Sequence, residues 1–103
     1  MTSRRGFFSE PFMSYAARIE EKLTAAFQPV TLSVEDESAR HAGHAGSRPG
    51  GETHFRVHIV SAAFQGLSRV DRQRKIHTVL ASELAERVHA LTLSVQTPEE
   101  AAR

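Results

Sequence analysis

Histidine is the residue type in this sequence whose positions say most about possible chemistry. Six of the 103 residues are histidine, and none is cysteine. Disulfides, thiolate metal sites and thiol catalysis within the chain are therefore excluded. A metal would have to be held by imidazole or carboxylate side chains, or by ligands that a partner supplies.

Three histidines form the candidate metal site. His41 and His44 lie in a polar, glycine-rich segment, and His89 directly precedes a short alternating apolar segment. Imidazole nitrogen is a common ligand of zinc and iron. The alternatives are that His41 and His44 are solvated loop residues, and that His89 is partly buried at a strand end because it shares the parity of Leu91 and Leu93.

The remaining three histidines are expected to lie on the surface or to pack against the core. His54 and His58 share the outward parity of an alternating segment, which predicts that both lie on the surface. His77 falls on the apolar stripe of a predicted helix and is expected to pack there.

Recognisable catalytic motifs are absent. The sequence has no Gly-x-Ser-x-Gly elbow, no P-loop and no His-Glu-x-x-His pattern. Asp36 and Glu37 are adjacent carboxylates close in sequence to His41, but such pairs are common at strand ends. They do not support a general acid–base mechanism. We therefore expect a protein that is not an enzyme by itself.

A second candidate site is a group of cations at the start of a predicted helix. Cations at the positive end of a helix dipole are slightly unfavourable, which mildly indicates an anionic partner. A solvated helix face is the alternative, and no aromatic residues interleave with these cations to stack on bases. If this group binds DNA, substitution of its arginines should weaken binding. Its members are Arg69, Arg72, Arg74 and Lys75.

Length and composition indicate one globular domain. The formal net charge is +1, and 40% of the residues are hydrophobic. No apolar segment resembles a signal peptide or a membrane span, so a cytoplasmic location is expected. We expect a flexible N-terminal tail over residues 1–10, a domain over 11–97 and a short C-terminal stub over 98–103.

Periodicity and capping residues predict the secondary structure. Pro29 helps to end the first helix, glycines and Pro49 mark a long loop, and Ser68 is an expected N-cap with Asp71 three residues later. The predicted elements, in order, are a helix over Pro11–Phe27, a strand over Val30–Asp36, a loop over Glu37–Thr53, a strand over His54–Ser61, a helix from Ser68 to about Arg87, a strand over Leu91–Val95 and a stub that begins at Thr97.

The order α-β-β-α-β predicts an α/β (α+β) fold in which helices cover one face of a three-stranded mixed sheet. Strands one and two should be antiparallel neighbours, and strands two and three should be parallel with a right-handed crossover. The long loop and the start of strand three then lie at the same end of the sheet. His41 and His44 should therefore lie near His89, although they are roughly 45 positions apart in sequence.

The motifs, taken in order, resemble the BolA family over about Ile19 to Pro98. Two departures are Gln73, where Arg-His-Arg is usual, and a loop with two possible ligands, His41 and His44, where one is expected. The matching segments are Asp36-Glu37-Ser38, His41, Glu52-Thr53-His54-Phe55-Arg56-Val57, Ile59-Val60-Ser61, Phe64-x-Gly66-x-Ser68, Arg72-x-Arg74, Glu83-Leu84 and Val88-His89-Ala90-Leu91.

The resemblance implies a fold like the type II KH domain, without the Gly-x-x-Gly clamp that KH domains use for RNA. It implies partnership with a monothiol glutaredoxin, in which a 2Fe-2S cluster is shared in iron–sulfur trafficking or iron regulation. A glutaredoxin cysteine and glutathione would supply sulfur, and His89 with a loop histidine, His41 before His44, would complete the ligand set. The isolated chain, a monomer or weak homodimer, would hold no cofactor.

Two alternatives remain at this point. The resemblance also implies a DNA-binding transcriptional regulator of morphology and stress responses. The residues themselves allow a zinc site of His41, His44 and His89 that would need no partner.

Overall fold

A computed structural model describes residues 13–38 and 51–103 of the chain. Four helices, three strands and one 3₁₀ turn are formed in these two segments. They are α1 (Tyr15–Phe27), β1 (Thr31–Asp36), β2 (His54–Val60), the turn Ala62–Phe64, α2 (Arg69–Val79), α3 (Ala81–Glu86), β3 (Ala90–Gln96) and α4 (Pro98–Ala102).

The three strands form one mixed sheet in the order β1-β2-β3. β1 runs antiparallel to β2, with Thr31 opposite Val60, and β3 runs parallel to β2, with His54 beside Ala90. Both pairings confirm the predicted topology. The end of β1 and the starts of β2 and β3 therefore meet at one end of the sheet.

The core lies between one face of the sheet and the helices. Phe55, Val57 and Ile59 of β2 are buried against Leu23 of α1 and Ile76 of α2, among others. Removing each such side chain from water contributes roughly 1.5–3 kcal/mol. Arg56 and His58 alternate with them on the other face, as the period-two pattern predicts.

The first helix and first strand start later than predicted. The hydroxyl of Ser14 accepts a hydrogen bond from the amide of Ala17 at 3.0 Å, so the helix begins at Tyr15. Pro11 lies outside the described residues. Val30 is 71% exposed and precedes β1, which begins at Thr31.

The predicted second helix is divided in two. Leu80 separates α2 from α3 with φ −100° and ψ 20°, and its side chain is fully buried. No glycine or proline marks this position, so the sequence pattern did not reveal it. The predicted stripe was wrong at Val70, which is 56% exposed, and at His77, whose exposed ring bonds through Nδ1 to the carbonyl of Gln73 at 2.8 Å.

A buried carboxylate joins α1 to α3. Glu83 is fully buried and accepts hydrogen bonds from Arg18 Nε and Lys22 Nζ, each at 3.0 Å. Burial opposes ionisation of Glu83, but the hydrogen bond from Lys22 and the charges of Lys22 and Arg18 outweigh it. The pKa of Glu83 is therefore lowered from its ordinary value.

The C-terminal stub is a capped helix fixed to the domain. Thr97 and Glu100 form a capping box, with Pro98 in the first turn. Glu100 also accepts two hydrogen bonds from Arg72, at 2.7 and 3.0 Å. These bonds, and the one from the Thr97 amide, lower the pKa of Glu100 to about 2.

This pKa predicts an acid-dependent contribution to stability. A carboxyl group whose pKa is lower in the folded than in the unfolded protein stabilises the fold above its unfolded pKa, about 4.3, and loses that effect as the pH falls toward its folded pKa. We therefore expect Glu100→Gln to unfold at a lower urea concentration than the wild type at neutral pH, with the difference closing towards about pH 2. Glu99→Gln, at the exposed neighbouring position, is the control. A difference that is independent of pH would contradict the prediction.

Candidate metal centre at the mouth of the loop

His89 lies at the end of the sheet where β1 ends and where β2 and β3 begin. This end is the mouth of the loop, because residues 39–50 lead from β1 to β2 there. The amide of His89 donates to the carbonyl of Thr53 at 2.7 Å, and β3 starts at the next residue. The His89 side chain is exposed, so the predicted partly buried alternative is wrong. His41 and His44 lie outside the described residues, and their placement beside His89 stays a prediction.

His54 is the site residue that the sequence analysis missed. Its ring centroid lies 6.4 Å from that of His89, with the ring planes inclined by 58°. The parallel register causes this, because His54 pairs with Ala90 and so lies next to His89. His54 and His58 are both half-buried, so the surface position that their parity predicts is only partly right for either residue. His58 lies further along β2, where its Nδ1 bonds to Ser94 Oγ at 3.1 Å.

Two buried hydroxyls hold the backbone at His54. Ser38 Oγ accepts hydrogen bonds from the amides of Thr53 at 2.8 Å and His54 at 3.2 Å. Thr53 Oγ1 lies 2.8 Å from His54 Nδ1 and 3.2 Å from Ser38 Oγ. Ser38 and Thr53 are both buried. The imidazole of His54 is therefore fixed through both its backbone and its ring.

The carboxylate of Asp36 bonds to both ends of the loop. Its two oxygens accept the amide of Ser38 at 2.9 Å and the amide of Glu52 at 3.0 Å. Partial burial opposes ionisation, but hydrogen bonds from the hydroxyl and amide of Ser38 and from the Glu52 amide outweigh it. The pKa of Asp36 is lowered as a result. Asp36 thus has a structural role, in agreement with the absence of a predicted acid–base mechanism.

Two residues just before β2, Gly51 and Glu52, have backbone dihedrals in the left-handed region. Gly51 has φ 71°, and a Cβ there would lie 3.2 Å from Asp36 Oδ2. Glu52 has φ 63°, which costs a residue with a side chain roughly 1–2 kcal/mol. Its carboxylate accepts the amide of Tyr15 at the start of α1 at 2.6 Å, and Arg87 donates to the Gly51 carbonyl at 2.8 Å. These contacts offset the strain and fix the loop end.

Among residues 13–38 and 51–103, no group of three or more potential ligands could hold a metal ion. His54 and His89 bring two imidazoles close together at this end of the sheet, but the carboxylate of Asp36 is bonded to backbone amides. A metal at this mouth therefore needs ligands from the loop or from a partner.

The cationic helix start is only partly available to an anionic partner. Arg69, Arg74 and Lys75 are exposed. Arg72 is not, because its guanidinium bonds to Glu100 and to the carbonyls of Leu67 and Val95, and its side chain is 11% exposed. Substitution of Arg72 should therefore disturb the fold before it tests any contact with DNA.

Comparison with known proteins identifies the family. The model of the family described as BolA-like protein matches residues 23–100. The chain belongs to the BolA-like family. This confirms the resemblance seen in the motifs.

Relatives agree in sequence and in fold. The chain is 51% identical over 88 residues to the DNA-binding transcriptional regulator BolA of Escherichia coli, which covers 85% of this chain and 80% of that protein. It is 50% identical over 91 residues to the chloroplastic/mitochondrial SufE-like protein 1 of Arabidopsis thaliana, covering 84% of this chain. The chain spans only 24% of the length of that Arabidopsis protein.

A solved structure confirms the fold class. The BolA domain of SufE1 from Arabidopsis thaliana superimposes with a TM-score of 0.78 at 48% identity, over 86% of this chain and 98% of that domain. In the described part of this BolA-like chain, no helix has the length and apolar character needed to span a membrane. Since one relative is named as chloroplastic/mitochondrial, a cytoplasmic location stays a prediction.

The role of Ser38 can be tested directly. Ser38→Ala leaves the amides of Thr53 and His54 without their acceptor in a buried site, which should cost about 1–3 kcal/mol of unfolding free energy. Urea unfolding measures the loss, and hydrogen exchange of these two amides should accelerate more than exchange elsewhere in β2. Ser33→Ala, on the exposed side of β1, is the control. Unchanged exchange at both amides would contradict the assigned role.

Proposed function

We propose that this BolA-like chain binds a monothiol glutaredoxin and shares a 2Fe-2S cluster with it, in iron–sulfur trafficking or iron regulation. His89 and a loop histidine, His41 before His44, are this chain's ligands in the proposal. The glutaredoxin cysteine and glutathione supply the sulfur ligands. The observation that carries the proposal is the exposed imidazole of His89 at the end of the sheet where both loop ends are fixed.

The donors at the mouth fit a shared cluster. The chain has no cysteine, so it cannot supply thiolates to iron, and thiolates must come from a partner. Its exposed imidazole can complete such a set, as two histidines do on one iron of Rieske centres. The cluster, when bound, would supply iron and sulfide for transfer, while the chain's role is to hold and orient its imidazoles. This is a binding role, and we propose no catalytic step.

Substitution of the histidines tests the ligand assignment. The wild-type chain is mixed with a cluster-loaded monothiol glutaredoxin and glutathione, and visible absorption and circular dichroism are recorded. The wild-type cluster should be lost on mild acidification, because protons compete with iron for imidazole. We expect His89→Ala and His41→Ala each to change the spectrum and the stability of the cluster to acid. His77→Ala, on the exposed side of α2, should behave as the wild type.

The outcomes separate the possibilities. If His89→Ala and His41→Ala both give the wild-type spectrum and acid stability, neither residue is a ligand and the proposal is wrong. If His44→Ala changes the spectrum and His41→Ala does not, His44 is the loop ligand and the function stands. Tight binding of Zn²⁺ by the chain alone, abolished by His89→Ala, would instead support the zinc site.

DNA binding is the second candidate function. It is favoured by the 51% identity to the regulator of Escherichia coli, which is named as DNA-binding. The exposed cations that could contact phosphates are Arg69, Arg74 and Lys75. Three phosphate contacts give a salt slope of about −3 on double-stranded DNA.

Salt-dependent binding tests this surface. We expect Arg69→Ala, Arg74→Ala and Lys75→Ala each to weaken binding on all DNA sequences and to reduce the slope by about 1. Fluorescence anisotropy with labelled duplex DNA at several salt concentrations measures both. Arg56→Ala removes one positive charge from the outer face of the sheet and is the control. If it lowers binding as much as the helix variants do, the helix is not a specific contact surface.

A further inference from the structure

β3 is an edge strand, and within the described residues no other strand lies along its outer side. The sheet has the order β1-β2-β3, so β3 pairs with β2 on one side only. A groove between α2 and β3 follows the other side and is lined by Arg69, Gln73 and Leu93, among others. The outer edge of β3 is therefore accessible to another chain.

The bonds at the two ends of β3 show which of its residues bond to β2. The amide of Ala90 donates to the carbonyl of Thr53 at 3.2 Å. The carbonyl of Gln96 accepts the amide of Ser61 at 3.0 Å. In a parallel ladder, alternate residues of a strand bond to the same neighbour. The even-numbered residues of β3 therefore bond to the β2 side, and the odd-numbered residues direct their amides and carbonyls outwards.

Three residues of β3 thus have outward-directed backbone groups, namely Leu91, Leu93 and Val95. Arg72 of α2 supports this assignment, because its guanidinium donates to the carbonyl of Val95 at 3.3 Å. That carbonyl has a second lone pair for another donor. Within residues 13–38 and 51–103, no bond from outside the sheet reaches the backbone of Leu91 or Leu93.

β3 also lacks the features that protect edge strands from pairing. Such strands usually carry charged side chains, proline or a bulge. β3 has the sequence Ala-Leu-Thr-Leu-Ser-Val-Gln, with no charge and no proline, and its register with β2 is continuous. The other edge strand, β1, has two adjacent carboxylates, Glu35 and Asp36. β3 is therefore the edge at which another strand can pair without facing a charge.

We propose that the outer edge of β3 pairs with β3 of a second copy of this chain, antiparallel and about a two-fold axis at Leu93. This register uses all three outward-directed residues, since Leu93 lies opposite Leu93 and Leu91 lies opposite Val95. Thr92 then lies opposite Ser94, so that uncharged side chains meet on the outer face. The two sheets become one continuous sheet, with the helices of both copies on the same face.

The charges beside β3 favour a second copy in this orientation. Arg87 lies three residues before β3, and the exposed Glu99 lies three residues after it. An antiparallel neighbour brings the cationic end of each strand to the acidic end of the other, whereas a parallel neighbour would bring like charges together. Pairing would also cover the half-buried side chains of Leu91 and Leu93 further.

The proposed contact is small. It involves Leu91–Val95 of each copy, whereas a stable interface has roughly 20–30 residues on each side. The dimer should therefore be weak and should form only in concentrated protein. The proposal does not rest on the proposed function, because it needs neither a cluster nor a glutaredoxin.

Amide exchange at several protein concentrations tests the pairing in the full chain. The amides of Thr92 and Ser94 bond to β2 and should exchange slowly at every concentration. The amides of Leu91, Leu93 and Val95 should exchange rapidly in dilute protein and several-fold more slowly in concentrated protein. Sedimentation should show the mean mass rising over the same range. A wild-type chain that is still monomeric at millimolar concentration would overturn the proposal.

Two double variants with charges on the exposed outer face test the register. Thr92→Glu with Ser94→Glu puts carboxylates opposite each other in two places, and should raise the dimer dissociation constant about 2- to 30-fold. Thr92→Glu with Ser94→Lys puts unlike charges at the same places and should lower it. In both variants the new carboxylate at position 92 lies beside Arg56 of the same chain. Circular dichroism checks that both fold.

The control adds the same two negative charges to the other edge strand. Thr31→Glu with Ser33→Glu, on the exposed face of β1, should leave the dissociation constant at the wild-type value. Equal dissociation constants in the two β3 variants, or an equal loss of dimer in the β1 control, would overturn the proposal. If the three outward amides slow only when a monothiol glutaredoxin is added, the edge binds that protein and not a second copy. The proposal is then wrong, while the proposed function stands.

Discussion

The ion pairs that Arg18 and Lys22 make with the buried carboxylate of Glu83 hold the helices in the arrangement on which the candidate site depends. Glu83 accepts from Arg18 and Lys22 of α1, and its own carbonyl accepts the amides of Arg87 and Val88. These bonds fix the direction of the backbone after α3, and so they set the position of His89, which follows Arg87 by two residues. A buried carboxylate loses hydration, so its ion pairs contribute little net stability, but removal of its cations would leave a buried charge uncompensated. The arrangement thus specifies geometry more than it adds stability.

The same helix α1 also fixes the other side of the mouth. The amide of Tyr15 donates to the carboxylate of Glu52, and the hydroxyl of Tyr15 donates to Glu86 at 2.9 Å. A carboxylate at the first turn of a helix is favoured by the helix dipole. The start of α1 is thus bonded to the residue that leads into β2 and to the last residue of α3. Both β2 and β3 begin from positions set by one helix.

Sequence reasoning predicted the sheet topology because alternation and the right-handed crossover rule depend on few residues. It placed His89 and the loop ends at one end of the sheet correctly. It missed His54 because outward parity does not reveal which residue of the neighbouring parallel strand lies beside it. It missed the break at Leu80 because burial of that side chain ends α2, and no glycine or proline marks the position. It counted Arg72 as a surface cation because the partner, Glu100, lies 28 residues away and has no sequence pattern to indicate it.

One carboxylate, that of Asp36, bonds to the amides on both sides of the segment over residues 39–50. The entropy of closing a loop between fixed ends grows slowly, by about 0.6 kcal/mol for each doubling of length. Insertions and deletions in this segment should therefore be nearly neutral for the rest of the fold. His89, which directly precedes β3, would keep its position through such changes, because its amide is bonded to the carbonyl of Thr53 and not to the segment.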